Sequence, residues 1–261
     1  MTLALLAGNA ALVLALMTCV WLASVRLRDA SIVDPWWSIL FLAVACRTAL
    51  VTGLGPRKLV LLGLVALWAL RLFLHLLRRS RGKPEDPRYA EFRRRFGPER
   101  YWWFSFFQVF VLQGALALVI SAPLQYAASR PTDEPLRVQD LVGLVVFTAG
   151  FVIEGLADRQ LQRFRDDPTN RGRILDTGLF AWSRHPNYFG DALLWWGFGC
   201  FALTSLAGTL TLLGPALMTF LLVRVSGVTM LDEHLTRTRP GYADYVARTS
   251  AFVPWPPRPR K

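Results

Sequence analysis

Cysteine and histidine are scarce in this chain, with three of each among 261 residues. Cys19, Cys46 and Cys200 all lie inside apolar stretches without CxxC spacing, which excludes a disulfide framework and a zinc site and makes them packed thiols. His75, His185 and His234 are too few for a multi-histidine metal centre. Charge is sparse as well, at 18% of residues against roughly 25% in a soluble domain. Acid is the scarcer sign: 18 Asp and Glu stand against 30 Lys and Arg, for a net charge of +12. Such an excess raises nucleic-acid binding, but the basic residues fall between long apolar runs and not on one polar segment, so no nucleic-acid partner is expected. No internal repeat or low-complexity linker interrupts the chain, and residues 1–261 read as a single domain.

Hydrophobicity is what the chain has in quantity: 53% apolar residues, a mean hydropathy of +0.34 and ten tryptophans. A bilayer accounts for the apolar runs and for the basic residues between them. Seven segments approach the roughly 20 residues a helix needs to cross the hydrocarbon core: Leu3–Val25, Trp36–Leu54, Leu59–Leu77, Phe106–Tyr126, Leu141–Leu156, Tyr188–Ala207 and Thr209–Val228. The runs lack the alternation of barrel strands, so the expected class is an all-α, polytopic integral membrane protein with seven transmembrane helices. The first run lacks the basic start of a secretory signal and reads as a retained helix. Alternate connections and the C-terminal tail carry most of the Lys and Arg, which predicts an N-terminus outside and a cytoplasmic C-terminus. Trp36, Trp37, Trp102, Trp103 and Trp255 mark segment ends, where indole rings anchor at the headgroup level.

Three arginines, Arg47, Arg71 and Arg224, fall inside expected spans, where a central charge costs about 2.5–3.5 kcal/mol. Snorkelling accounts for Arg47 and Arg224. Arg71 sits mid-segment between Trp68 and His75 and is read as inward and site-facing.

The stretch from Asp158 to Gly190 is the most informative. It carries six arginines interleaved with Asp158, Asp166, Asp167 and Asp176, then re-enters the membrane through His185-Pro186-Asn187-Tyr188. Proline favours the first helical turn, so a helix is expected to start near Pro186, with its free amide hydrogens facing the arginine loop as an anion site. Guanidinium forks add bidentate phosphate contacts. Positive-inside charge alone explains any single arginine; the mixture of donors and acceptors suits a ligand with phosphates, ribose hydroxyls and an amide.

These residues carry a resemblance. Gly178-Leu179-Phe180, Ser183-Arg184-His185-Pro186-Asn187-Tyr188-Phe189-Gly190-Asp191 and Trp195 look like the C-terminal signature of the steroid 5-alpha-reductase family. Ser31-Ile32-Val33-Asp34-Pro35-Trp36-Trp37, Glu85-Asp86-Pro87-Arg88-Tyr89 and Tyr242-Ala243-Asp244-Tyr245 resemble that family's bacterial branch of uncharacterised membrane proteins. The resemblance implies an inner-membrane, seven-helix enzyme with NADPH bound near the cytoplasmic boundary and a hydrophobic enone or steroid-like substrate entering among membrane lipids. The family's cofactor contacts fall on Asp158, Arg165, Arg173, Asn187, Tyr188, Asp191 and Trp195. The turn after the third helix brings in Arg81, and Arg224 and His234 match at a different spacing. The Gln-Glu pair that serves the ketone in the animal enzymes corresponds to Asp34-Pro35. Catalytic roles then go to Asp34 as proton donor to the carbonyl, Arg71 as stabiliser of the developing charge and Asp191 at the nicotinamide end. Isoprenylcysteine and phospholipid methyltransferases share a His-Pro-x-Tyr element, so a methyltransferase using S-adenosylmethionine is the alternative enzyme. A transporter is the non-enzymatic alternative, although no matching broken halves are found.

Overall fold

The computed structural model describes residues 1–225 and 228–258, apart from the side chains at 98, 229–231, 233 and 234. Among the described residues every regular element is a helix; an isolated bridge between Ser183 and Ser250 is the sole strand-like pairing. The all-α expectation holds. The helices group into two compact units, one formed by Met1–Leu136 with Thr204–Thr211, the other by Arg137–Leu203 with the described residues from Leu212 on.

In the first unit, α1 (Leu3–Leu27) starts under a Thr2 cap, whose hydroxyl accepts from the Leu5 amide, and stops at Arg28 in the left-handed region at φ 54°. After a 3-10 turn over Ala30–Ile32 comes α2 (Val33–Thr52), and Gly53 at φ 84° ends it. Proline opens α3 (Pro56–Ser80), and α4 (Pro87–Phe96) begins on an Asp86 cap with Pro87 at its first position. The next crossing, α5 (Glu99–Ile120), widens to π geometry over Phe106–Val111, and α6 (Ala122–Ala128) follows.

The second unit is built on α7 (Val138–Asp166) and α8 (Pro186–Cys200). Their backbones touch at two glycine pairs. A Cβ on Gly150 would lie 2.5 Å from the Gly190 carbonyl, and one on Gly143 would lie 2.7 Å from that of Gly197. The pairs are seven residues apart on each helix and run in opposite senses, so two antiparallel helices meet on matched small-residue notches. That is how helices pack in lipid, where contact and not hydrophobicity drives association. The span α9 (Leu206–Val225) ends in a π stretch over Leu221–Val225; α10 (Val228–Thr238) and α11 (Tyr242–Arg248) complete the chain.

Among the described residues six helices are long and apolar enough to cross a membrane: α1, the 23 residues Ala30–Thr52, α3, α5, α7 and α9. Leu3, Leu59, Leu67, Val145, Leu206 and Leu213 are each at least 50% exposed, side chains that a bilayer and not water would surround. The chain is an integral membrane protein. The run expected as the sixth crossing is the 15-residue α8, whose rise of about 22 Å falls short of a 30 Å hydrocarbon core. Polar sequence extends α7 well beyond the expected Leu156, because Asp158 to Asp166 continues the helix past the apolar run.

Two buried polar centres sit inside the first unit. Asn9 donates to Thr48 Oγ1 and to Gln125 Oε1, both at 2.9 Å, and accepts from Arg47 Nη1 at 2.8 Å. Arg47 is half-buried, and the neighbouring helix supplies its partners, the Asn9 carboxamide and the Leu5 carbonyl, with its guanidinium packed against Gly8. Nearby, Lys58 Nζ donates to the Thr52 hydroxyl and the Gly53 carbonyl.

Candidate functional site

The Pro186 start of α8 is as expected, with His185 just before it. Successive turns of α8 carry Asn187, Asp191 and Trp195 on one face, and α7 presents Asp158 and, one turn deeper, Glu154. Asn187 Nδ2 donates to Asp158 Oδ1 at 3.3 Å. Because a Cβ on Gly190 would meet the Glu154 amide at 2.5 Å, Glu154 lies at the level of the glycine contact beside Asp191. Asp158, Asp191 and Glu154 are at most 9% exposed and Trp195 is fully buried. Two helices thus bring three carboxylates and a carboxamide into one apolar setting. The sequence reading missed Glu154; its signal was the four-residue spacing to Asp158 inside an apolar run.

The other expected residues are placed as follows. Tyr188 stacks on His185, their rings 5.5 Å apart and 3° from parallel. Arg165, Arg173 and Arg224 are exposed, Arg165 at the end of α7, Arg173 in the loop before α8 and Arg224 in the π stretch of α9. His234 belongs to α10, but its side chain lies outside the described residues. In the first unit Arg71 is half-buried on α3, three residues beyond the fully buried Trp68, and Arg81 is exposed just past the helix end.

Asp34 is more tightly engaged than the sequence implied. Tyr89 Oη donates to one carboxylate oxygen at 2.7 Å and Arg88 Nη2 to the other at 3.1 Å. Gln113 Nε2 in turn donates to the Tyr89 hydroxyl at 3.2 Å. Burial, and then the adjacent Asp34 carboxylate, push the Tyr89 phenol well above its ordinary value. The arrangement gives Asp34 a phenolic proton partner that sequence spacing could not reveal, since residues 34 and 89 are joined only by tertiary contact.

A second cluster gathers around Asp232. Its carboxylate accepts from Arg184 Nη2 at 2.7 Å and Tyr242 Oη at 2.6 Å, and lies 2.9 Å from His185 Nε2. Arg184 also donates to the Thr249 carbonyl at 2.5 Å, and Tyr245 to the Phe180 carbonyl at 2.6 Å. Burial alone would raise the Asp232 carboxyl, but hydrogen bonds from His185, Arg184 and Tyr242 outweigh it and hold the group well below the usual carboxylate range. This cluster clamps α10, α11 and the tail onto the loop that leads into α8. His185 is thus a structural hydrogen-bond partner here.

Fold and site define a polytopic all-α membrane protein with a polar centre between two closely apposed helices. The chain belongs to the DUF1295 family, described as a protein of unknown function, whose family model matches residues 20–249. It is 30% identical over 263 residues to the uncharacterized protein C594.04c of Schizosaccharomyces pombe, across 90% of this chain and 75% of that one. It is also 29% identical over 141 residues to the probable O-methyltransferase ustE of Ustilaginoidea virens, across 53% of this chain and 46% of that protein. No solved structure matches.

Proposed function

We propose that this protein is an NADPH-dependent membrane reductase that saturates the C=C bond of an enone lipid, such as a 3-oxo-4-ene steroid. The observation that carries the reading is the Asp158–Asn187 pair with Asp191 one turn deeper, a buried donor–acceptor set beside an exposed arginine loop. The fit is chemical. A carboxamide side chain and buried carboxylates match a nicotinamide amide and ribose hydroxyls, and guanidinium groups at Arg165 and Arg173 match phosphates. NADPH, when bound, supplies the hydride. The chain's own residues would then orient it: Asn187 and Asp191 at the nicotinamide end, Trp195 and Tyr188 as apolar walls, Arg224 as a further cationic contact. The family resemblance assigns carbonyl activation to Asp34 and Arg71. Tyr89, which donates to Asp34 and is itself held by Gln113, would fix the orientation of that carboxyl toward the carbonyl. A cytoplasmic cofactor face belongs to the same reading.

The 141-residue likeness to a probable O-methyltransferase favours a second reading, methyl transfer from S-adenosylmethionine. That donor carries a carboxylate and no phosphates, so it leaves the arginine loop unused.

Purified protein titrated with NADPH, NADH and S-adenosylmethionine separates the two, because a ligand that binds only the folded state raises the melting temperature. A shift with NADPH, followed by enone-dependent NADPH oxidation, is the expected result. A shift with S-adenosylmethionine alone would replace the reductase with the methyltransferase, and no shift with any of the three would remove both.

A further inference from the structure

A cavity of roughly 690 Å³ opens in the first unit. It lies where α1 ends, α2 begins and α5 begins, so it sits at one membrane boundary, and Trp102 on its wall is 50% exposed. Indole rings in that position mark the headgroup layer.

The charges lining it are of two kinds. Glu85 and Arg93 neutralise each other through a two-pronged pair at 3.0 and 2.8 Å, and Glu85 also takes the Ala30 amide at 2.7 Å. Arg28 and Glu99, by contrast, have no side-chain partner among the described residues, and both are exposed on the cavity wall. Arg28 is also the one non-glycine described residue at positive φ, a conformation that side chains other than glycine rarely adopt. Deeper in, the Tyr101 hydroxyl is buried without a hydrogen-bond partner, on a side chain only 1% exposed. Arg93 covers the face of its ring at 4.7 Å.

One free cation, one free anion and one orphaned hydroxyl in a pocket at headgroup depth complement a zwitterion. We infer that this cavity binds the phosphoethanolamine headgroup of a membrane phospholipid, its phosphate on Arg28, its ammonium on Glu99 and a phosphate oxygen accepting from Tyr101. An anionic headgroup without an ammonium would leave Glu99 unmatched and repelled. The source is the bilayer and not the soluble pool, because the cavity lies among span ends and beside an exposed indole.

Native mass spectrometry of delipidated protein titrated with phosphatidylethanolamine, phosphatidylglycerol and water-soluble phosphoethanolamine tests this. Phosphatidylethanolamine should be retained at about tenfold lower concentration than phosphatidylglycerol, the scale of one charge-assisted contact. Glu99→Gln should erase that preference; Arg28→Asn, whose replacement tolerates positive φ, should weaken both lipids. Tyr101→Phe should weaken phosphatidylethanolamine, whereas an orphan hydroxyl with no ligand would be removed without effect on it. Arg94→Gln, an exposed position paired with Glu91 outside the cavity, should change nothing. Equal retention of the two lipids, unchanged binding in Arg28→Asn and Glu99→Gln, or phosphoethanolamine binding as tightly as the lipid would each overturn the assignment. Circular dichroism of every variant separates lost binding from lost fold.

Discussion

Gly150 and Gly190 face each other so closely that a Cβ on Gly150 would lie 2.5 Å from the Gly190 carbonyl, and a Cβ on Gly190 would lie 2.7 Å from the Gly150 carbonyl. The apposition fixes the register of α7 on α8, and through it the level at which Glu154 and Asp158 meet Asp191 and Asn187.

Gly150→Ala and Gly190→Ala should therefore each destabilise the protein by about 1–3 kcal/mol, the cost of overpacking a closed contact. Gly155 on the same helix has open space around its Cα, so Gly155→Ala should be neutral or stabilising by up to roughly 1 kcal/mol. Thermal denaturation in one detergent compares the three; equal melting temperatures would show that the contact does not set the helix spacing.

Asp232→Asn should cost about 2–4 kcal/mol, because it leaves Arg184, only 9% exposed in its side chain, without its carboxylate. The pH dependence has a definite sign. The folded Asp232 group is held below its unfolded value of about 3.9, so its contribution is full above that pH and is lost as the pH falls further. The gap between wild type and Asp232→Asn should narrow as the pH falls below about 4.

Asn9→Leu removes both the acceptor for Arg47 and the donor to Thr48 and Gln125. Arg47 then keeps only its 3.3 Å bond to the Leu5 carbonyl, and with the bonds to Thr48 and Gln125 lost as well the change should destabilise by about 3 kcal/mol. Thr48→Val, which takes away one neutral acceptor, should cost about 1 kcal/mol. Chemical denaturation that ranks Thr48→Val as the worse of the two would refute the hub role of Asn9.

Asn187→Ala and Asp158→Ala should each shrink the NADPH-induced rise in melting temperature, while Arg173→Ala, on an exposed loop, should weaken NADPH more than NADH with almost no change in unliganded stability. A uniform loss of unliganded stability across these variants would point to a purely structural polar centre.

Tyr89→Phe should lower enone turnover about tenfold by releasing the Asp34 carboxyl that Tyr89 holds, while NADPH binding is unchanged. The raised phenol keeps its proton through ordinary pH, so no basic limb from Tyr89 should appear below pH 10 in the rate profile.

The sequence by itself determined the class of this protein. Long apolar runs can satisfy their backbone in lipid only as helices, Pro186 opens α8 because proline suits a first helical turn, and the four-residue spacing of Asn187, Asp191 and Trp195 puts them on one face. What the spacing could not convey was partnership across helices. The glycines at 143, 150, 190 and 197 look unremarkable in a hydropathy reading, yet they decide the register that brings Glu154 beside the candidate site. The same holds for Asp34 with Tyr89, Arg47 with Asn9 and Asp232 with His185. Hydropathy ranks each polar residue by its cost in lipid, but that cost is met by a partner distant in sequence, and only tertiary packing chooses the partner.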